Sequence, residues 1–297
     1  MAEEKALDLS ALSASAQEIV NSKKAEGRWK LKDLLQVLRE VAHFDELDDQ
    51  LRTKAAKRAK VFLIITIVLA FLAFFTFGLT LILAIPGLIV TIVYWRKKKK
   101  YQQLDLDDEF RLVLIPFLET IAEDVAPNGR LNVKLDLDGP SEAKITKKHD
   151  IAPGRFKNVV ETIYLDPWCR LEAPLAGGNS LLLSLENNYV THERHWKNPR
   201  GKSKSKTKWK KLAVVTAGLA PNAARFDFDP NWVPPGDAQD KLKMAEKKDQ
   251  PLARLTRKFK FTSVNQRPEE SVTAENLVAM FFKLGYMLKT SSAGSGS

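Results

Sequence analysis

Three periodicities divide the chain. Between Leu31 and Leu51 the apolar residues Leu31, Leu34, Leu35, Leu38, Val41, Ala42, Leu47 and Leu51 recur at spacings of three and four, which predicts an amphipathic helix. From Val61 to Trp95 that rhythm gives way to 35 residues without Asp, Glu, Lys, Arg, Asn, Gln, Ser or His. Beyond Leu131 the period becomes two: Leu131, Val133, Leu135 and Leu137 alternate with Asn132, Lys134, Asp136 and Asp138, the signature of a half-buried strand.

The uncharged run sets the first expectation. As one helix it would extend roughly 52 Å, well past the roughly 30 Å hydrocarbon layer of a bilayer, so it is read as two arms. A turn at Gly78 leaves Val61–Phe77 and Leu79–Trp95, about 25 Å each when helical, with Pro86 as a kink in the second. Lys57, Arg58 and Lys60 precede the run and Arg96, Lys97, Lys98, Lys99 and Lys100 follow it, with Tyr94 and Trp95 beside the second cluster. These flanks predict an integral membrane protein with a transmembrane hairpin and both termini cytoplasmic. Entry into one leaflet and return is the shallower alternative. The polar, acidic opening Met1-Ala2-Glu3-Glu4 is unlike a signal peptide, and the single cysteine, Cys169, fits a reducing compartment.

The remaining segments follow from pattern and punctuation. An earlier helix is expected over roughly Ser10–Lys24, and the main N-terminal helix is given a basic start at Arg28, Trp29, Lys30 and Lys32. The acidic group Asp45, Glu46, Asp48 and Asp49 is expected to interrupt or cap that helix. After the hairpin, Asp105–Ala126 reads as a helix stopped by Pro127-Asn128-Gly129. Strands are expected at Val159–Leu165, Cys169–Pro174, Leu181–Trp196, Leu212–Ala217 and Leu252–Val264, a short exposed helix at Lys241–Lys248, and a last helix capped by Thr273. The predicted fold class is an α+β membrane protein: N-terminal helices (1–58), a transmembrane helical hairpin with basic flanks (59–100), and a cytoplasmic antiparallel sheet domain flanked by helices (101–290). The tail 291–297 has the composition of a linker scar.

Charge sharpens the picture for the sheet domain. The net charge is +11, and ten of that excess lies after residue 60. Arg200, Lys202, Lys204, Lys206, Lys208 and Lys210 occupy every even position, with Gly, Ser, Thr or Trp between them, so a strand would carry all six on one face. Asn198-Pro199-Arg200-Gly201 supplies a turn and Tyr189–Trp196 a partner, which predicts a projecting basic hairpin. The plainest reading is a flexible loop whose lysines only keep it soluble; as a binding element its expected ligand is an anionic partner, with lipid headgroups ahead of nucleic acid, since no recognised nucleic-acid motif surrounds Trp196 and Trp209.

No catalytic, cofactor or metal motif of comparable strength is present. His192 and His195 fall on opposite faces of a strand and lack a third ligand. Cys169 has no nucleophile signature, the pairs Asp136/Asp138 and Asp227/Asp229 read as solvated strand faces or loop entrances, and Gly177-Gly178 lacks the spacing of a phosphate loop. The expectation is a non-enzymatic, membrane-anchored scaffold or adaptor without cofactors. It would use the lipid bilayer and a further protein as partners, and self-associate through Gly78, Ala70, Ala73 and Ala84. A channel or pore-forming effector and a leaflet-inserted membrane-shaping protein are the alternatives.

Overall fold

The computed structural model of the chain describes residues 9–73, 75, 80–151, 159–229, 240–247 and 250–290. The chain forms two compact units, one comprising Met1–Ser22 and Val37–Leu106, the other Lys23–Gln36 and Asp107–Ser297.

The first unit is helical. It contains α1 (Ala14–Ser22), the part of α2 (Leu31–Leu72) that follows Gln36, and α3 (Leu81–Leu104). α2 runs through the acidic group without a break, and Asp45 and Asp48 are buried. Asp45 accepts a hydrogen bond from the Leu106 amide at 3.1 Å, and Arg52 bridges Asp49 and Asp105 at 2.6 and 2.5 Å. Neither carboxylate oxygen of Asp48 has a hydrogen-bond partner among the described residues. Burial pushes its carboxyl up to about 7, with Asp105 and Asp49 adding to the rise and Arg52 opposing it.

Farther along, α2 and α3 pack as an antiparallel pair. The rings of Phe62 and Tyr94 stack at 5.9 Å, and Thr80 Oγ1 donates to the Leu69 carbonyl at 3.0 Å. Gly87 meets Thr66 so closely that an added Cβ would lie 2.6 Å from Thr66 Oγ1. Small side chains are inside and large ones outside: Ala59, Ala84 and Thr91 are buried, whereas Phe71 is 68% and Ile82 69% exposed.

This geometry corrects the membrane expectation. The apolar part of α2 is Val61–Leu72, about 18 Å of helix, and that of α3 is Leu81–Trp95, about 22 Å, both well short of the roughly 30 Å layer. Lengthening either segment brings in Lys57, Arg58 and Lys60, or Arg96, Lys97 and Lys98. Among the described residues no helix is long and apolar enough to cross a membrane. The transmembrane hairpin, the membrane fold class and the integral-membrane assignment with both termini cytoplasmic therefore do not stand. The sequence reading takes the arms up to Gly78, as Val61–Phe77 and Leu79–Trp95, but α2 ends at Leu72 and α3 begins only at Leu81. The proposed turn at Gly78 and the tail 291–297 lie outside the described residues.

The second unit is an α+β layer built on a large antiparallel sheet. Its strands are β1 (Lys24–Lys30), β2 (Arg130–Asp136), β3 (Ile145–Ile151), β4 (Val159–Pro174), β5 (Ser180–Lys197), β6 (Ser203–Ala220), β8 (Lys241–Lys247) and β9 (Gln250–Val264), while β7 (Phe226–Phe228) pairs separately with β10 (Leu288–Thr290). The order is β1-β2-β4-β5-β6-β9-β8, with β3 beside the first half of β4. Two segments expected to be helical are strands: Lys24–Lys30 pairs along β2, and Lys241–Lys247 pairs along β9. The helix expected at Asp105–Ala126 is a π-helical turn at Phe110–Leu114 followed by α4 (Ile115–Thr120). α5 (Ala274–Gly285) is capped as expected by Thr273, whose side chain accepts from the Asn276 amide.

Alternation assigns the two faces. Leu131, Val133 and Leu135 of β2, Leu181, Leu183 and Leu185 of β5, and Ala213, Val215, Ala217 and Leu219 of β6 are buried. They form one core with Phe110, Phe117 and Leu118 before the sheet and Leu277, Met280 and Leu284 of α5, and the Phe117 and Phe281 rings stack at 5.5 Å. An antiparallel sheet covered on one side leaves the other to solvent. β4 changes register between Asp166 and Cys169, where Pro167 sits, a bulge that moves the inward-facing positions from Thr162 and Asp166 before it to Cys169, Leu171 and Ala173 after it.

Candidate functional site

The uncovered face of the sheet carries the charge. Lys204, Lys206, Lys208 and Lys210 of β6 all point to it, because the intervening positions continue the buried register that starts at Lys211 and Ala213. Pairing then fixes their neighbours. Lys204 lies opposite Trp196, Lys206 opposite Arg194 and Lys208 opposite His192 on β5, and Lys210 lies opposite Thr262 on β9. Farther down the same face, β9 adds Lys260, Lys258 and Arg254, β4 adds Arg170, and β2 and β1 add Lys134 and Arg28. The carboxylates of this surface, among them Glu26, Asp136, Glu161, Glu172 and Glu186, are fewer and dispersed.

The ribbon predicted from alternate lysines is thus an ordered hairpin of two 18-residue strands, about 60 Å long. Its turn holds Arg200 and Lys202: Asn198 Oδ1 accepts from both of their amides, at 3.1 and 2.9 Å, and Gly201 adopts φ 73°, where a side chain would be strained. The exposed Trp196 is on the cationic face, with the Arg194 guanidinium 5.8 Å from its ring centroid. Trp209 is on the other face, stacked on Tyr164 at 6.2 Å, and is withdrawn from any role in stacking a ligand there. Sequence alone missed Lys134, Arg170, Arg254, Lys258 and Lys260, which sit on strands far apart in the chain. Their only signal was a cation at an outward position of each alternating segment.

The second set of sequence candidates, Lys57, Arg58, Lys60 and Arg96–Lys100, belongs to the helical unit. Arg58 lies 5.9 Å from the Tyr94 ring centroid, and the exposed Lys57, Lys60, Lys98, Lys99 and Lys100 border the exposed apolar parts of α2 and α3.

His149, His192 and His195 have protein partners. Glu161 receives His192 Nε2 at 2.6 Å and lies 3.5 Å from His149 Nε2, so the three strands β3, β4 and β5 present a His149–Glu161–His192 row; the bond from His192 holds Glu161 below the usual carboxylate range. His195 pairs with Glu193 at 3.1 Å. Cys169 is buried, which raises its thiol pKa far above the usual value.

Polar groups also converge on the core side. Glu109 accepts from Lys211 and, at 2.9 Å, from Asn187; Arg267 holds Asp107 at 2.9 Å; and Lys144 bridges Asp136 and Asp166 at 2.9 and 2.6 Å. Burial pushes Asp166 up to about 6 against the pull of Lys144. The void beside Glu109 and Asn187 is only about 10 Å³, too small for a substrate, so this group acts as internal structure.

The comparisons with known proteins add no further constraint: no protein-family profile matches the chain, and no curated protein or solved structure matches it.

Proposed function

We propose that the chain is a binding or adaptor module whose uncovered sheet face seats it on an anionic lipid surface through headgroup contacts. The observation that carries this reading is the gathering of Lys204, Lys206, Lys208, Lys210, Arg194, Lys258, Lys260, Arg254, Arg170 and Lys134 on one open face. Each lysine within reach of an anionic leaflet contributes about 1 kcal/mol. The contact is electrostatic and needs no span.

Two features favour lipid over nucleic acid. The cations spread across six strands, about 24 Å, as well as along them, which suits a two-dimensional array of headgroups better than a single phosphate chain. Single-strand binders also use ladders of aromatic platforms, whereas this face offers Trp196.

Vesicle co-sedimentation tests the reading. Binding to phosphatidylserine-containing vesicles should exceed binding to phosphatidylcholine vesicles and weaken as salt rises above about 0.15 M. Equal binding to both vesicle types, or binding to an oligonucleotide with no preference for anionic vesicles, would refute it.

A further inference from the structure

The middle of the cationic face is hollow. Two transverse rows cross it: Lys134, Arg170, Ser184, Thr216 and Thr256 on β2, β4, β5, β6 and β9, and next to it Asn132, Glu172, Leu182, Gly218 and Arg254 on the same strands. Ser184, Thr216 and Gly218 are short or absent side chains near the centre, beside Leu182, while Arg170 and Lys134 lie on one side and Arg254 on the other. The result is a depression of about 680 Å³, open to solvent, within the size range of small-ligand sites.

Its lining is chemically specific. Among the described residues neither Arg170 nor Arg254 has a carboxylate partner, whereas Lys134 pairs with Glu26 at 2.8 Å and Arg257, on the other side of β9, is held by Asp240 at 2.6 Å. Two arginines without a carboxylate partner at the rim of a hollow whose floor includes the Ser184 and Thr216 hydroxyls suit phosphate oxygens, which arginine binds through two parallel N–H bonds. Thr216, which lines the hollow, shares a hydrogen bond with Thr256 at 3.2 Å.

We infer that this hollow is a selective site for a compact phosphorylated ligand, held by Arg170 and Arg254 over Ser184 and Thr216. The inference rests on reading the outer face as an anion-binding surface and gives that face a specific subsite. The ligand chemistry is shared by a free phosphorylated polyol and by a phosphoinositide headgroup.

Calorimetry of the full chain with pyrophosphate tests the site directly. Saturable binding is expected, weakened at least about tenfold in Arg170→Gln/Arg254→Gln and likewise in Ser184→Phe, which fills the hollow without changing charge. Unchanged circular dichroism and melting temperature establish that these outward-facing substitutions leave the fold intact. Changing Lys204, Lys206, Lys208 and Lys210 to Ala should leave pyrophosphate affinity within about twofold, since those residues lie farther along the face.

A vesicle arm separates the sources. Preference for phosphatidylinositol bisphosphate over phosphatidylserine at equal surface charge, lost in Arg170→Gln/Arg254→Gln, identifies the headgroup. Pyrophosphate binding without that preference identifies a free ligand. Pyrophosphate binding with no vesicle binding at all refutes the lipid-surface reading and leaves the subsite standing. Failure of the wild-type chain to bind pyrophosphate, or binding insensitive to both hollow variants, overturns the inference.

Discussion

Removing four charges from the β5–β6 ribbon gives the sharpest quantitative expectation. In Lys204→Ala/Lys206→Ala/Lys208→Ala/Lys210→Ala every substituted side chain points to the uncovered face, with neighbours along β6 about 6.6 Å apart. At about 1 kcal/mol per lysine the loss is about 4 kcal/mol, or about a thousandfold in affinity. The spacing is smaller than the roughly 8 Å Debye length, so neighbouring lysines share counterions, and the expected loss narrows to between about 30-fold and a thousandfold. Flotation with phosphatidylserine vesicles reads this. An equal charge change at Lys148, Lys197, Arg225 and Lys289, none on that face, should cost less than about fivefold. Equal losses in the two variants, or a loss below about threefold in the ribbon variant, would refute the assignment of binding to this face.

Three further outcomes follow from the interior. Because Asp48 has its carboxyl raised to about 7 by burial, its contribution to stability is fully present below about pH 4 and is lost as pH rises to about 7; Asp48→Asn should flatten this part of the melting-temperature profile and raise the melting temperature at pH 8, and an unchanged profile would count against the burial argument. Lys211→Met leaves Glu109 buried without its cation and should cost about 3–5 kcal/mol in urea unfolding, against less than about 1 kcal/mol for Lys210→Met on the open face. Gly139→Ala places a side chain at φ 62°, with a Cβ 2.8 Å from Asp107 Oδ2 and 2.9 Å from Arg267 Nη1, and should lower stability by about 1–3 kcal/mol in the same assay.

Legibility from sequence depended on whether the governing contact was local. The long strands were readable because alternation is a property of the strand itself: Leu131–Leu137 and Lys204–Lys210 declare their faces without knowing their partners. Thr273 capped its helix for the same reason. Lys24–Lys30 and Lys241–Lys247 were not readable, since both are edge strands with few apolar residues, defined by pairing with β2 and β9 rather than by their own pattern. The uncharged run was the largest error. Its composition records what is absent, but a membrane span depends on where helices begin and end, and neither Leu72 nor Leu81 is marked by an unambiguous breaker. The hollow was invisible for a topological reason: Arg170, Ser184, Thr216 and Arg254 become neighbours only through the register of four strands.

The central claim, that one face of the sheet meets an anionic lipid surface, is tested most directly by two adjacent labels on β9. Thr262→Cys places a solvatochromic dye on the cationic face beside Lys210, and Ser263→Cys places it on the opposite face beside Trp209, while the native Cys169 is buried and does not compete for the label. On adding phosphatidylserine vesicles the dye at 262 should shift to the blue and the dye at 263 should not. Equal shifts at both positions, or a shift at 263 alone, would contradict the account.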